Sequence, residues 1–115
     1  MANTFKVITK AGVTSADVIY TVAGSTTTIL LGLIIANHTT GASSLTVTLG
    51  TDTANRAGAN NETNQDVELL EAVPIPGLSS LELLSGNKVV METTDTLSVT
   101  GTAAVGVCLS VMEIT

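Results

Sequence analysis

Val105, Val107, Leu109 and Val111 alternate with Gly106, Cys108, Ser110 and Met112 near the C-terminus, and Glu113 continues the first row. A period of two sends successive side chains to opposite faces of an extended strand, so one row is offered to a core and the other is not. The pattern recurs in Leu45, Val47 and Leu49 against Thr46 and Thr48, and in Leu97 and Val99 against Thr96, Ser98 and Thr100. Nothing between these stretches keeps a helical period. The chain is therefore restricted to sheet folds.

Shorter strands are expected at Thr4–Thr9, Val18–Val22, Val67–Val73, Leu81–Leu84 and Lys88–Glu92, each bounded by Gly, Asn, Asp, Ser or Pro. Punctuation at that spacing predicts an all-β protein: an antiparallel β-sandwich, jelly-roll-like, of about eight or nine short strands. Ser85-Gly86-Asn87 supplies residues able to take positive φ in a tight turn, and Thr93-Thr94-Asp95 supplies the next turn, so Leu81–Thr100 reads as a three-stranded meander. Pro74 and Pro76 cannot donate to a ladder and mark a strand end or a sheet edge. Residues 51–64 hold no apolar side chain larger than Ala and read as a long surface loop, or as an arm that orders against a partner.

At 115 residues the chain fits one domain. Its 44% hydrophobic and 12% charged residues make a packed core and not a disordered tail. Phe5 and Tyr20 are the only aromatic residues, so Val, Leu, Ile, Ala and three Met must fill that core. Lys6, Lys10, Arg56 and Lys88 stand against ten acidic residues, for a formal charge of −6. Phosphate backbones are bound by clustered Lys and Arg, and none cluster here, which excludes nucleic acid as a direct partner. Cys108 is alone, so no disulfide can form within the chain, and no signal-peptide pattern opens the sequence; synthesis in the cytoplasm is expected. The longest apolar run, Ile29–Ala36, is far short of the roughly 20 residues of a spanning helix, and no membrane partner is expected.

That run belongs to Thr27–Asn37, which is apolar on both faces: Ile29, Leu31, Leu33 and Ile35 form one row, and Leu30, Gly32, Ile34 and Ala36 the other. Two sheets make only one core, so a second greasy row is roofed by a loop or covered by another subunit. On the latter reading Leu30, Gly32, Ile34 and Ala36 are candidates for an oligomer or capsid interface. Residues 1–16 carry two of the four positive charges, Lys6 and Lys10, and form a candidate N-terminal arm whose lysines join the same interface.

Catalysis has little to draw on. His38 is the sole histidine, in the loop Asn37-His38-Thr39-Thr40, without a second His or a carboxylate at ligand spacing. Cys108 sits mid-strand with no positive neighbour to activate a thiolate and is read as a small buried residue. Asp66 and Glu68 would share a strand face while Glu71 points away, so no carboxylate pair is expected, and Asp52 alone makes no calcium loop. Asn37-His38-Thr39 and Asn61-Glu62-Thr63 match the glycosylation sequon, a short pattern without meaning in an unsecreted chain. The residues point to a non-enzyme with no cofactor and no metal.

The segments Val18–Ile29, with its Thr-Val-Ala-Gly-Ser-Thr-Thr-Thr core, Leu33-Ile34-Ile35-Ala36-Asn37, Val73-Pro74-Ile75-Pro76 through Leu81-Glu82-Leu83, and Lys88-Val89-Val90-Met91 to Asp95-Thr96-Leu97 together resemble small β-sandwich virion structural proteins of tailed bacteriophages. The resemblance runs from about Val18 to Glu113 in strand order. Ala23 stands where such proteins often carry a proline before the glycine, and no collagen-like or coiled-coil stalk is present. It implies a capsid decoration (cement) protein, commonly a homotrimer, on the surface of the virion with the major capsid protein as partner. The alternative it implies is a tail or fibre module binding a receptor or glycan, for which Tyr20 alone is poor provision. A cupin-type enzyme would need two or three histidines.

Overall fold

A computed structural model describes residues 2–52, 65–84 and 86–115. The expected loop at 51–64 falls mostly outside them, as do Asn61 and Arg56.

Among the described residues nine strands form: β1 (Asn3–Val13), β2 (Asp17–Thr21), β3 (Thr27–Asn37), β4 (Ser43–Gly50), β5 (Val67–Ile75), β6 (Ser79–Leu83), β7 (Val89–Met91), β8 (Thr96–Gly101) and β9 (Val105–Ile114). They make two antiparallel sheets. The first is ordered β1-β9-β3-β6, with β7 also on β3; the second is ordered β2-β8-β4-β5. The first strand thus pairs with the last and the second with the last but one, so the chain wraps back on itself as a jelly roll. β1 faces β2 at one side of the sandwich and β6 faces β5 at the other.

The alternating rows account for the core. Val105, Val107, Leu109 and Val111 of β9 meet Leu45 and Val47 of β4 and Leu97 and Val99 of β8 between the sheets, all buried. Burial of one aliphatic side chain of this size contributes about 1.5–3 kcal/mol, which sets the register: a slip of one residue would turn a whole row out to water.

Leu81–Thr100 departs from the expected meander. β6 and β7 do not pair with each other; both lie end to end along β3, and β8 joins the opposite sheet. Leu84 at φ 73° and Gly86 at φ 80° divert the chain between β6 and β7, so the segment turns without making a hairpin. The turn after β7 instead crosses between sheets. Asp95, 1% exposed, accepts from the backbone N–H of Glu92 and of Asp52, each at 2.9 Å, so its carboxylate closes its own turn and fastens it to the end of β4. Asn37 is buried in the same manner: its Nδ2 donates to the carbonyls of Gly41 (2.8 Å) and Ile75 (3.1 Å), and its Oδ1 accepts from Thr39 N–H (3.0 Å). The sequon at Asn37 is therefore a structural clasp. Pro74, at the register partner of Ser44, lies in β5 at the edge of its sheet, where a missing donor costs nothing.

The candidate N-terminal arm is built into the fold. Asn3 to Lys10 lie in continuous register with Ile114 to Val107, and β1 is an edge strand.

A candidate assembly face on the outside of one sheet

The two sheets differ on their outer faces. Outside the second lie Ser44, Thr46, Thr48, Thr96, Ser98 and Thr100, with Thr46 opposite Thr100 and Thr48 opposite Ser98. This is the hydrated face usual for an antiparallel sheet. Outside the first sheet the register sets side chains in four rows across the strands. Phe5, Met112, Ile29 and Val90 make the first, and Val7, Ser110 and Gly32 the second. Thr9, Cys108, Ile34 and Glu82 make the third, and Gly106, Ala36 and Ser80 the fourth, at the end where Ala11 also lies. Phe5 is 70% exposed, Val7 63%, Val90 53% and Ile34 47%. Large apolar side chains left in water in one contiguous patch mark an interaction surface.

β3 contributes to both faces by an irregularity. Leu30 is opposite Val111 and Gly32 opposite Ser110, so Leu31 is an extra residue, a bulge that shifts the alternation by one. Thr28 and Leu30 before it, and Leu33, Ile35 and Asn37 after it, all turn inward and are fully or almost fully buried. Of the four candidates on β3, Gly32, Ile34 and Ala36 are therefore brought together on the outer face, whereas Leu30 is a core residue with no exposed surface. The extra residue at Leu31 puts Leu30 and Gly32 on opposite faces, where strict alternation would put them on one.

Lys6 and Lys10 are placed elsewhere. Their register partners, Val111 and Val107, belong to the inner row, so both lysines rise on the core side of the edge strand. Lys6 Nζ is 2.7 Å from Glu113 Oε1 and Lys10 Nζ is 3.6 Å from Asp17 Oδ2. Charged side chains aimed inward on an edge strand discourage edge-to-edge pairing with other chains. They guard the edge and leave the face.

At the fourth row the surface sinks. Gly106 and Ala36 leave a hollow of about 260 Å³, walled by Thr9, Ile34, Cys108 and His38. The imidazole lies over Gly106, its Nε2 3.6 Å from where a Cβ would stand. Cys108 is half-buried on this outer row, the face opposite Val107 and Leu109 that the alternation gives it, and is not the fully buried residue expected of it. Among the described residues no group of three or more His, Cys, Asp and Glu is arranged to hold a metal ion, and no helix is long and apolar enough to cross a membrane.

Glu68 and Glu71, expected on opposite faces of β5, are neighbours, because the register with β4 shifts between Leu70 and Glu68. Repulsion from the Glu71 carboxylate pushes the Glu68 carboxyl above its ordinary value. Tyr20 is buried, its hydroxyl engaged with Glu113 and Thr28, so the ring is no platform for a sugar. The exposed residues of the face that sequence reasoning missed are Phe5, Val7 and Val90. The signal was available in β1, where Phe5 and Val7 alternate with Lys6 and Ile8.

No family model matches this chain, and no curated protein does. Among solved structures, the chain aligns with one from the disulfide-linked pili of Bacillus endospore appendages, at 18% identity and TM-score 0.48, over 99% of this chain and 87% of that one. It also aligns with a chain of infectious bursal disease virus, Gx strain, at 11% identity and TM-score 0.26, over 96% of this chain and 36% of that one.

Proposed function

We propose that this protein is a non-enzymatic structural subunit that works by packing against other protein chains, and specifically a homo-oligomeric decoration protein on the surface of a tailed-phage capsid. The observation that carries the reading is the outer face of the first sheet, where Phe5, Val7, Ile34 and Val90 stand exposed in an acidic chain with no provision for chemistry. A cement protein needs a rigid scaffold, a contact surface and no reactive group. The sandwich supplies the first, the apolar face the second. Resemblance in the segments from Val18 to Glu113 names the shell, with the major capsid protein as partner and the virion surface as location.

The test is to add purified protein to undecorated phage heads, sediment them and image the pellet. Regular density on the shell and a higher temperature of head disruption are expected. Heads that sediment bare and break at an unchanged temperature refute the capsid assignment.

A further inference from the structure

The assembly face has a shape as well as a polarity. Its first row, Phe5-Met112-Ile29-Val90, is a ridge of large side chains spanning four strands; its fourth row, Gly106-Ala36-Ser80 with Ala11 at the same end, is a trough of small ones, walled at Gly106 by the His38 imidazole. Between them Gly32 opens a gap in the second row, and no atom lies within 4 Å of where its Cβ would stand. Ile34 projects from the third row, 47% exposed.

We propose that this face binds a second copy of the chain, about a two-fold axis that lies between the two sheets and runs across their strands. Resting on the structural reading above, the inference deepens it by naming the first partner and the mode of contact. That axis lays the first row of each copy over the fourth row of the other, so large meets small at β3 and at the β6–β7 edge. Ile29 settles over the partner's Ala36 and Val90 over the partner's Ser80, while Met112 meets the partner's His38, whose imidazole covers Gly106. Ile34 enters the space above the partner's Gly32, and the partner's Ile34 does the same in return. A two-fold interface demands such self-complementarity, and sheets packed face to face stay roughly aligned, about 10 Å apart.

Charge and area favour a second copy over a different chain. Two copies each carrying −6 repel wherever acidic groups face, yet Glu82 is the only charged residue in the four rows. The axis brings Glu82 of each copy to the partner's gap between β6 and β7, where exposed Lys88 sits, so the one charge finds its opposite. Strands of 11, 10 and 11 residues, with the 5 of β6 and the 3 of β7 at the fourth position, spaced about 4.8 Å apart and rising about 3.4 Å per residue, present roughly 650 Å². A stable interface takes about 800 Å² from each partner.

Sedimentation of the full chain over a concentration series tests this. A dimer at micromolar concentration is expected. Gly32→Val, which meets nothing within its own subunit, and Ile34→Glu should each weaken self-association at least about thirtyfold, while Thr48→Val on the opposite sheet leaves it unchanged. Glu82→Lys should weaken the dimer and Glu82→Lys with Lys88→Glu restore it, with circular dichroism confirming that each variant is folded. A monomer at every concentration, a trimer, or a dimer indifferent to Gly32→Val and Ile34→Glu overturns the inference. A dimer that ignores phage heads upholds it and removes only the capsid assignment; a monomer that coats them does the reverse.

Discussion

The hydroxyl of Tyr20 sits where the sandwich closes between β2 and β9. It donates to the Glu113 carboxylate, while the hydroxyl of fully buried Thr28 lies 2.8 Å away, and Lys6 holds the other carboxylate oxygen at 2.7 Å. Burial, with the neighbouring carboxylate, pushes the phenol up from 10.0 to about 12. The hydrogen bonds from Lys6 and Tyr20 hold Glu113 below the usual carboxylate range. The two groups act at opposite ends of the pH scale. A raised phenol pKa adds stability that is complete below pH 10.0 and is lost as pH climbs through about 12. A depressed carboxyl pKa adds stability that is present above its unfolded value and is lost as pH falls through its folded one. Tyr20→Phe leaves Thr28 and Glu113 without their shared partner and should cost about 1–3 kcal/mol at neutral pH. Urea unfolding measures that loss, and titrating the phenolate absorbance should show no ionisation near pH 10 in the folded wild type. None of this is visible in the sequence, because Tyr20 and Glu113 are joined only when β2 and β9 close over one another. The Glu68–Glu71 contact was hidden for another reason: a shift of register in β5 defeats counting by twos.

In β3 the sequence carried most of the answer and mislaid one residue. Two apolar rows were legible in Thr27–Asn37, and the structure uses both, one inside and one outside. What the alternation could not show is the extra residue at Leu31, since an insertion in a uniformly apolar strand leaves no polar residue out of place to mark it. The consequence can be measured. Leu30→Ala and Leu33→Ala, both at 0% exposure, should each lower stability by about 2–5 kcal/mol through lost burial and a residual cavity. Ile34→Ser, made in protein dilute enough to be monomeric, should stay within about 0.5 kcal/mol of wild type, as surface changes do. If Leu30→Ala proved as mild as Ile34→Ser, the strand would run straight and Leu30 would belong to the outer face. The same limit explains β6 and β7: turn residues at Gly86 and Asn87 suggest a hairpin, whereas both strands run in one direction, end to end along β3.

Across the whole molecule, fold class followed from periodicity, while strand order did not, because period two says which way a side chain points and nothing about which strand lies beside it. The jelly roll resolves that choice with distant partners: Asn3 opposite Ile114, Asp17 opposite Val99, Ser43 opposite Ile75, and β3 held between β9 and β6. β9, the last strand made, is central to its sheet, flanked by β1 and β3. β1 has no ladder partner, and β3 only β6 and β7, until β9 is present, so loop-closure entropy must be spent before the longest ladders form. Sheets of this connectivity fold in roughly milliseconds to seconds, well behind helical domains of equal size. Stopped-flow refolding from urea should therefore show a main phase in that window, and Val111→Ala in β9 should speed unfolding or slow folding according to whether the β1-β9-β3 ladder forms late or early. Removing residues 105–115 should abolish folding, because it exposes the inner rows of both flanking strands. A truncated chain that still gave a cooperative unfolding transition would mean that the sandwich does not depend on its last strand, contrary to the order of strands in the first sheet.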